Sequence, residues 1–257
     1  MRLTVLGSGA ACPPPGVNSS GYLLEDDGQT LLLDCGHGIA SAVLGVRPEF
    51  DIDHILITHM HADHFIDVIP LRFRVTREMG GVRDRQIQLH LPPGGTDALH
   101  QIMRAISFPE DFCANTFLLR EYDPKAVLQL GSLQVRFAPA EHYVPAWSIR
   151  VDGSGSLVYT GDTAPKDEVT ELARDCDLFV AEGTLAEPET GPVRGHLTPE
   201  QAAAMACGAN AQEMLLTHFW YGTDLKEAER RAASVFPGPL TIASDGLCCE
   251  VKSRRID

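Results

Sequence analysis

The sequence predicts an α/β chain (α+β in its arrangement), with layered sheets covered by helices and one domain over residues 1–257. Three observations lead there. Short apolar segments at the start give way to alternating strand and helix patterns, which places helices outside sheets. The Pro/Gly-rich spots at 12–16, 91–95, 152–156 and 187–195 are loop-sized, so no linker divides the chain. A 257-residue chain with 44% hydrophobic and 22% charged residues is long enough, and apolar enough, to bury one large core.

In chain order, residues 2–6, 21–25 and 30–33 read as strands, the last two joined through the turn Asp26-Asp27-Gly28. Further apolar strand segments fall at 54–57, 87–89, 133–137, 147–151, 157–159, 178–180, 213–216 and 240–243, and a terminal strand carries Cys248-Cys249 on opposite faces. Helical patterns cover 66–78, 96–106, 166–174, 199–207 and 224–233. The fourth has the clearest start: Thr198 as N-cap, Pro199 as first helical residue and Gln201 completing a capping box. Gly7-Ser8-Gly9 imitates a dinucleotide fingerprint. Cys12 stands at the third glycine position, however, and Pro13-Pro14-Pro15 prevents the helix that the fingerprint needs.

Composition excludes several function classes. Lys plus Arg number 21 against 35 Asp plus Glu, a formal charge of −14, so extended nucleic-acid binding is not expected. No apolar run is long enough to span a bilayer, so no membrane role is expected. The start reads as a strand and a glycine turn rather than a signal peptide. The seven cysteines include no Cys-x-x-Cys pair, and together these features predict a cytoplasmic setting.

The chemistry is concentrated in Asp53-His-Ile-Leu-Ile-Thr-His59-Met-His61-Ala-Asp63-His64. A buried strand runs into three imidazoles and a carboxylate within six residues, the donor types that hold zinc or a similar divalent ion. A solvated polar loop has no reason to concentrate them there. His142, Asp162 and His218 each follow an apolar strand, at the edge where a layered sheet presents its functional groups. Together they make seven donors, enough for two ions, with Asp162 able to give one oxygen to each.

The set His59-x-His61-x-Asp63-His64, His142, Asp162 and His218 resembles the five metal-binding motifs of the metallo-β-lactamase superfamily in order and composition. The resemblance runs from Gly7 to His218 and on toward Asp245. It implies a four-layer αββα sandwich with two zinc ions at one edge, manganese or iron being the alternatives. It further implies His59, His61 and His142 on one ion, Asp63, His64 and His218 on the other, and Asp162 bridging. Asp34, in Leu31-Leu32-Leu33-Asp34, fits the family's carboxylate that steadies the metal loop from behind.

Within the superfamily, true β-lactamases usually lack the bridging Asp and are exported, and the redox di-iron branch has Glu where this chain has His61. Glyoxalase II-like thioesterases and some lactonases share all seven donors. Glu182-Gly-Thr184 followed by Gly195-His196-Leu-Thr-Pro resembles ribonuclease Z and its small phosphodiesterase relatives. There the implied roles are contact with the scissile phosphate for His196 and orientation of that histidine for Glu182. Asp162 comes only 20 positions after His142, an interval where the tRNA-processing enzymes insert a long basic arm. A small phosphodiester, such as a cyclic nucleotide or short oligonucleotide, is therefore expected as substrate. Two ions about 3.5–4 Å apart can acidify a shared water, with Asp63 orienting it or taking its proton and His196 assisting the leaving oxygen. The competing readings are a thioesterase or lactonase at the same metals, a tRNA 3′ endonuclease, and a non-catalytic nucleotide-binding module. Relatives also imply a homodimer.

Arg72, Arg74 and Arg77 read as a solvated helix face, and His37, His54, His90 and His100 as surface or core residues without partner spacing. Phe219-Trp220-Tyr221 is divided between packing and a substrate pocket.

Overall fold

The computed structural model describes residues 1–49, 51–75, 86–113 and 116–253. Two seven-stranded sheets face each other. The first contains β1 (Arg2–Gly7), β2 (Gly21–Asp26), β3 (Gln29–Leu33), β4 (His54–Leu56), β5 (Ile87–Leu91), β6 (Phe117–Glu121) and β14 (Cys248–Glu250), in the order β14-β1-β2-β3-β4-β5-β6. The second contains β7 (Leu128–Leu130), β8 (Leu133–Pro139), β9 (Trp147–Asp152), β10 (Ser156–Tyr159), β11 (Leu178–Glu182), β12 (Glu213–Thr217) and β13 (Leu240–Ile242), ordered β13 to β7. The helices are α1 (Ile39–Val46), α2 (Ala62–Phe65), α3 (Val68–Phe73), α4 (Gly95–Ala105), α5 (Asp167–Leu172), α6 (Pro199–Gly208) and α7 (Leu225–Ala233).

Strand periodicity explains the layering. Leu31 and Leu33 point between the sheets, where they meet Leu133, Ile149 and Leu157. Leu32 points outward with Leu23 and Ile55 against Ile39 and Val43 of α1 and Leu99 and Met103 of α4. On the other side Val158, Phe179 and Leu216 pack under Val169 of α5, Ala203 of α6 and Ala232 of α7. Strands buried on both faces read as continuous apolar runs, as Leu31-Leu32-Leu33 does. The result is the four-layer αββα arrangement. The capping box at Thr198 is formed, with its side chain accepting from Gln201 N. Among the described residues, no helix is long and apolar enough to cross a membrane.

Strands β3, β4 and β5 run parallel, as do β10, β11, β12 and β13. Their carboxyl ends therefore lie at common edges, and the loops after β4, β10, β11 and β12 carry the chemistry-bearing residues.

Several expectations change. The pattern over 66–78 is α3, Val68–Phe73, preceded by the one-turn α2; Arg77 and Glu78 lie outside the described residues. Arg72 is half-buried and engaged: its Nε donates to Phe112 O at 2.9 Å and its guanidinium lies 4.0 Å from the Phe112 ring centroid. Spacing along one helix could not anticipate a partner 40 residues away. His54 and His90 do pair, with Nδ1 and Nε2 3.3 Å apart, because β4 and β5 are register neighbours. Strands β6 and β7 and helix α1 were not legible as periodic segments. Phe219 is buried, whereas Trp220 and Tyr221 are exposed.

Candidate metal centre

Strand β4 ends at Leu56, and the chain then passes through Thr58, His59 and His61 before α2 turns Asp63 and His64 inward. Gly36 makes that turn possible, since a Cβ there would lie 1.9 Å from the carbonyl oxygen of Asp63. Opposite, β8 leads to His142, β10 to Asp162 and β12 to His218. Asp34 and His218 both adopt positive φ (57° and 61°), a strained conformation for non-glycine residues that recurs at functional positions.

Seven donor side chains converge in two groups that share Asp162: His59, His61, His142 and Asp162, and Asp63, His64, His218 and Asp162. Within each group the donor atoms all lie within 4.8 Å of one another. In the first, His61 Nδ1 lies 3.1 Å from His59 Nε2 and 3.0 Å from His142 Nε2. Asp162 Oδ2 stands 3.7 Å from the former and 3.8 Å from the latter nitrogen. In the second, Asp162 Oδ1 lies 3.3 Å from both His64 Nε2 and His218 Nε2, and Asp63 Oδ2 lies 3.5 and 3.4 Å from them. Donors about 2.1 Å from a tetrahedral ion stand about 3.4 Å apart, so the spacing fits divalent cations.

The outer hydrogen bonds point the donor lone pairs inward. His142 Nδ1–H donates to Gly195 O at 2.8 Å, which leaves Nε2 as its acceptor nitrogen. His64 Nδ1 is bonded to Asp34 Oδ2 at 2.7 Å. His59 Nδ1 meets Thr58 Oγ1 at 3.0 Å, and Thr58 Oγ1 in turn donates to Asp34. His218 Nδ1 meets Thr184 Oγ1 at 2.9 Å, and Thr184 donates to Glu182. Asp34 also receives the Thr58 amide at 2.8 Å and the Tyr159 hydroxyl at 2.9 Å. Three inward atoms, His64 Nε2, Asp162 Oδ1 and His218 Nε2, are buried with no hydrogen-bond partner. Buried polar atoms without partners are disfavoured by several kcal/mol unless something binds them, and a cation satisfies all three.

Charge follows the same division. Burial lowers the pKa of His59, His61 and His142, which keeps them neutral donors. For His64 burial opposes the imidazolium, but Asp162 and Asp34 outweigh it and raise its pKa well above the usual value. Burial likewise opposes ionisation of Asp162 and Asp63, and the neighbouring imidazoles outweigh it, holding both as carboxylates. A cation held by the second group would take the place of the His64 proton.

His196 and Glu182 stand beside this cluster. His196 Nδ1 lies 3.0 and 3.1 Å from the two Glu182 oxygens. Its ring centroid is 5.0 Å from that of His142 and 5.9 Å from that of His218. Burial disfavours its imidazolium, but the Glu182 hydrogen bond and charge raise its pKa to about 9. Sequence reasoning missed Thr58 and Tyr159, whose neighbours become visible only once the sheets are assembled. Thr184 was part of a quoted motif, and its contact with His218 is tertiary.

The profile of the Beta-lactamase superfamily domain matches residues 29–219. The chain is 29% identical over 251 residues to the probable metallo-hydrolase YhfI of Bacillus subtilis, covering 97% of this chain and all of that one. The YhfI crystal structure superposes with a TM-score of 0.84 over 97% of this chain and 99% of that one, at 26% identity. A ribonuclease Z of Haloarcula marismortui is 28% identical over 300 aligned positions, covering 96% of each chain. Human tRNase Z, short form, shares the fold, with a TM-score of 0.74 at 22% identity over 98% of this chain and 99% of that one. The matched span takes in β3, the His59–His64 segment, Asp162 and His218, and the chain belongs to the β-lactamase superfamily.

Proposed function

We propose that this chain, a metal-dependent hydrolase, is a binuclear phosphodiesterase acting on a small phosphodiester such as a cyclic nucleotide or short oligonucleotide. His59, His61, His142 and Asp162 would hold one ion, and Asp63, His64, His218 and Asp162 the other. A donor set of nitrogen and carboxylate oxygen suits zinc, with manganese or iron as alternatives. Bound there, the pair supplies an acidified water and offsets charge developing on phosphoryl oxygens.

The observation that favours an oxygen leaving group, as in a phosphodiester, over a thioester is the Glu182–His196 couple beside the donor cluster. Glu182 engages Nδ1, so Nε2 is the nitrogen left for substrate, and a pKa of about 9 keeps the ring protonated at neutral pH. An alkoxide leaving group needs that proton, whereas a thiolate departs without one. Glu182 keeps its own position through the Thr163 and Leu197 amides at 2.8 and 3.2 Å. Asp63 would orient an attacking water or accept its proton.

Substrate size follows from the interval between His142 and Asp162. It holds only β9, a short turn and β10, with no room for a grasping arm. The ribonuclease Z alignment of 300 positions exceeds this chain's 257 residues, so that relative carries sequence absent here. The charge of −14 opposes long polyanions. Residues 1–257 act as one unit in this reading, in the cytoplasm and as a homodimer, which fractionation and light scattering check.

The test is metal analysis joined to a substrate panel of an aryl phosphodiester, a cyclic nucleotide, a glutathione thioester, a homoserine lactone and a tRNA precursor. Phosphodiester turnover is expected to dominate. His196→Ala is expected to keep its metal and lose roughly 10²–10⁴-fold in kcat. Preferred thioester or lactone turnover, or unchanged phosphodiester turnover in His196→Ala, rejects the phosphodiesterase. Less than one ion per chain rejects the metal centre and favours a binding module.

A further inference from the structure

The loop between β11 and α6 closes on itself where Leu185 N donates to Leu197 O at 2.9 Å, the arrangement of an Ω-loop. From 186 to 194 every residue is exposed except Glu189, which is half-buried. Glu189 Oε2 accepts two consecutive amides, Gly195 N–H at 2.6 Å and His196 N–H at 3.2 Å. Its other oxygen receives the Tyr143 hydroxyl. Tyr143 follows His142 directly, and its ring lies 4.9 Å from the His142 ring and 5.6 Å from the His196 ring, centroid to centroid. Gly195 lies under it so closely that a Cβ would come within 2.6 Å of the Tyr143 ring.

One peptide plane connects these contacts. The Gly195–His196 peptide is trans, so its C=O and N–H point in opposite directions. The C=O accepts from His142 Nδ1, and the N–H donates to Glu189. The plane is thus pinned at both ends. Its orientation sets the acceptor that fixes the His142 tautomer and the starting point of the His196 side chain. Glu189 and His142 thus engage opposite sides of one peptide.

We propose that Glu189, tethered by Tyr143, is a positioning residue that clamps the Gly195–His196 peptide and through it holds His142 and His196 in register. The proposal rests on the function assigned to those two histidines above. Both amides share one carboxylate oxygen, so the clamp needs an acceptor at that point, and the Glu189 charge adds a smaller favourable field at the His196 ring. A glutamine places its carbonyl at Oε2 and its amide nitrogen toward the Tyr143 oxygen, and fills the role.

The experiment uses the metal-loaded chain with Glu189→Ala, Glu189→Gln, Tyr143→Phe, His196→Ala and the double variant Glu189→Ala/His196→Ala. Amide exchange at Gly195 and His196 is expected to speed up at least about tenfold in Glu189→Ala and to stay near wild type in Glu189→Gln. Phosphodiester kcat is expected to fall roughly 10- to 100-fold in Glu189→Ala with KM little changed, to fall less in Tyr143→Phe, and to be restored in Glu189→Gln. The double variant is expected to be little worse than His196→Ala alone. Wild-type exchange in Glu189→Ala overturns the clamp, even if that variant is slow. Multiplying losses in the double variant overturn its action through His196. Undiminished turnover in His196→Ala overturns the phosphodiesterase reading instead, and the exchange rates still decide the clamp.

Discussion

The two halves of the donor cluster are built differently. The half of Asp63, His64 and His218 is sealed in the fold: both imidazoles are buried, their inward nitrogens face carboxylates but make no hydrogen bond, and Asp34 and Thr184 brace them from behind. The half of His59, His61 and His142 opens outward at the half-buried His61, while the His59 and His142 imidazoles are buried and a backbone carbonyl braces His142. The sealed half also concentrates charge, since Asp63 and Asp162 Oδ1 face it and Asp34 lies behind it. A deep, anionic pocket holds a cation tightly. An open pocket of neutral imidazoles holds one more weakly, and gives substrate access. In the proposed centre the difference separates an anchoring ion from a working one.

Asp162→Ala is the most disruptive change, because one oxygen faces each half. It is expected to strip metal from both and to reduce hydrolysis to background, read by elemental analysis alongside the assay. A variant that retains two ions would show that the halves do not depend on this bridge. His64→Ala and His61→Ala come next and test the asymmetry directly. His64→Ala should lower metal content furthest, while His61→Ala should retain about one ion at stoichiometric metal and still lose activity. Equal losses from the two variants would abolish the distinction. A smaller effect is expected for Asp34→Asn, which leaves every donor in place but weakens the brace on His64 and Thr58. Metal affinity should fall roughly 10- to 100-fold, measured by competition with a chelator, and chiefly in the sealed half. Smallest is Thr198→Ala, outside the centre, which removes the α6 N-cap. It should cost about 1 kcal/mol of stability, seen as a lower thermal midpoint with metal content unchanged.

Much of the fold was legible because strands buried on both faces write themselves as uninterrupted apolar runs, and Leu31-Leu32-Leu33 and Ile55-Leu56-Ile57 are such runs. The α6 start was legible for a local reason, a cap and box spanning four residues. Helix α1 was not, since Ile39–Val46 has no side-chain cap and mixes small with apolar residues. Edge strand β7 is three residues long, too short for periodicity to register. The donor segment stood out because four ligand residues, three imidazoles and a carboxylate, fall within six positions. His142, Asp162 and His218 were legible only as strand-end residues matched to a family pattern.

By itself the sequence determined local matters: which segments become strands, where α6 starts, and which side chains can hold a cation. Those depend on neighbours within a few residues, where periodicity and capping act. Tertiary structure alone decided that Asp34 braces His64 and Thr58 across the sheet, that Arg72 lies on Phe112, and that Tyr143, Glu189 and Gly195 meet around one peptide. These contacts join residues far apart in the chain, and a hydrogen bond depends on distance and direction in space, which residue order does not record.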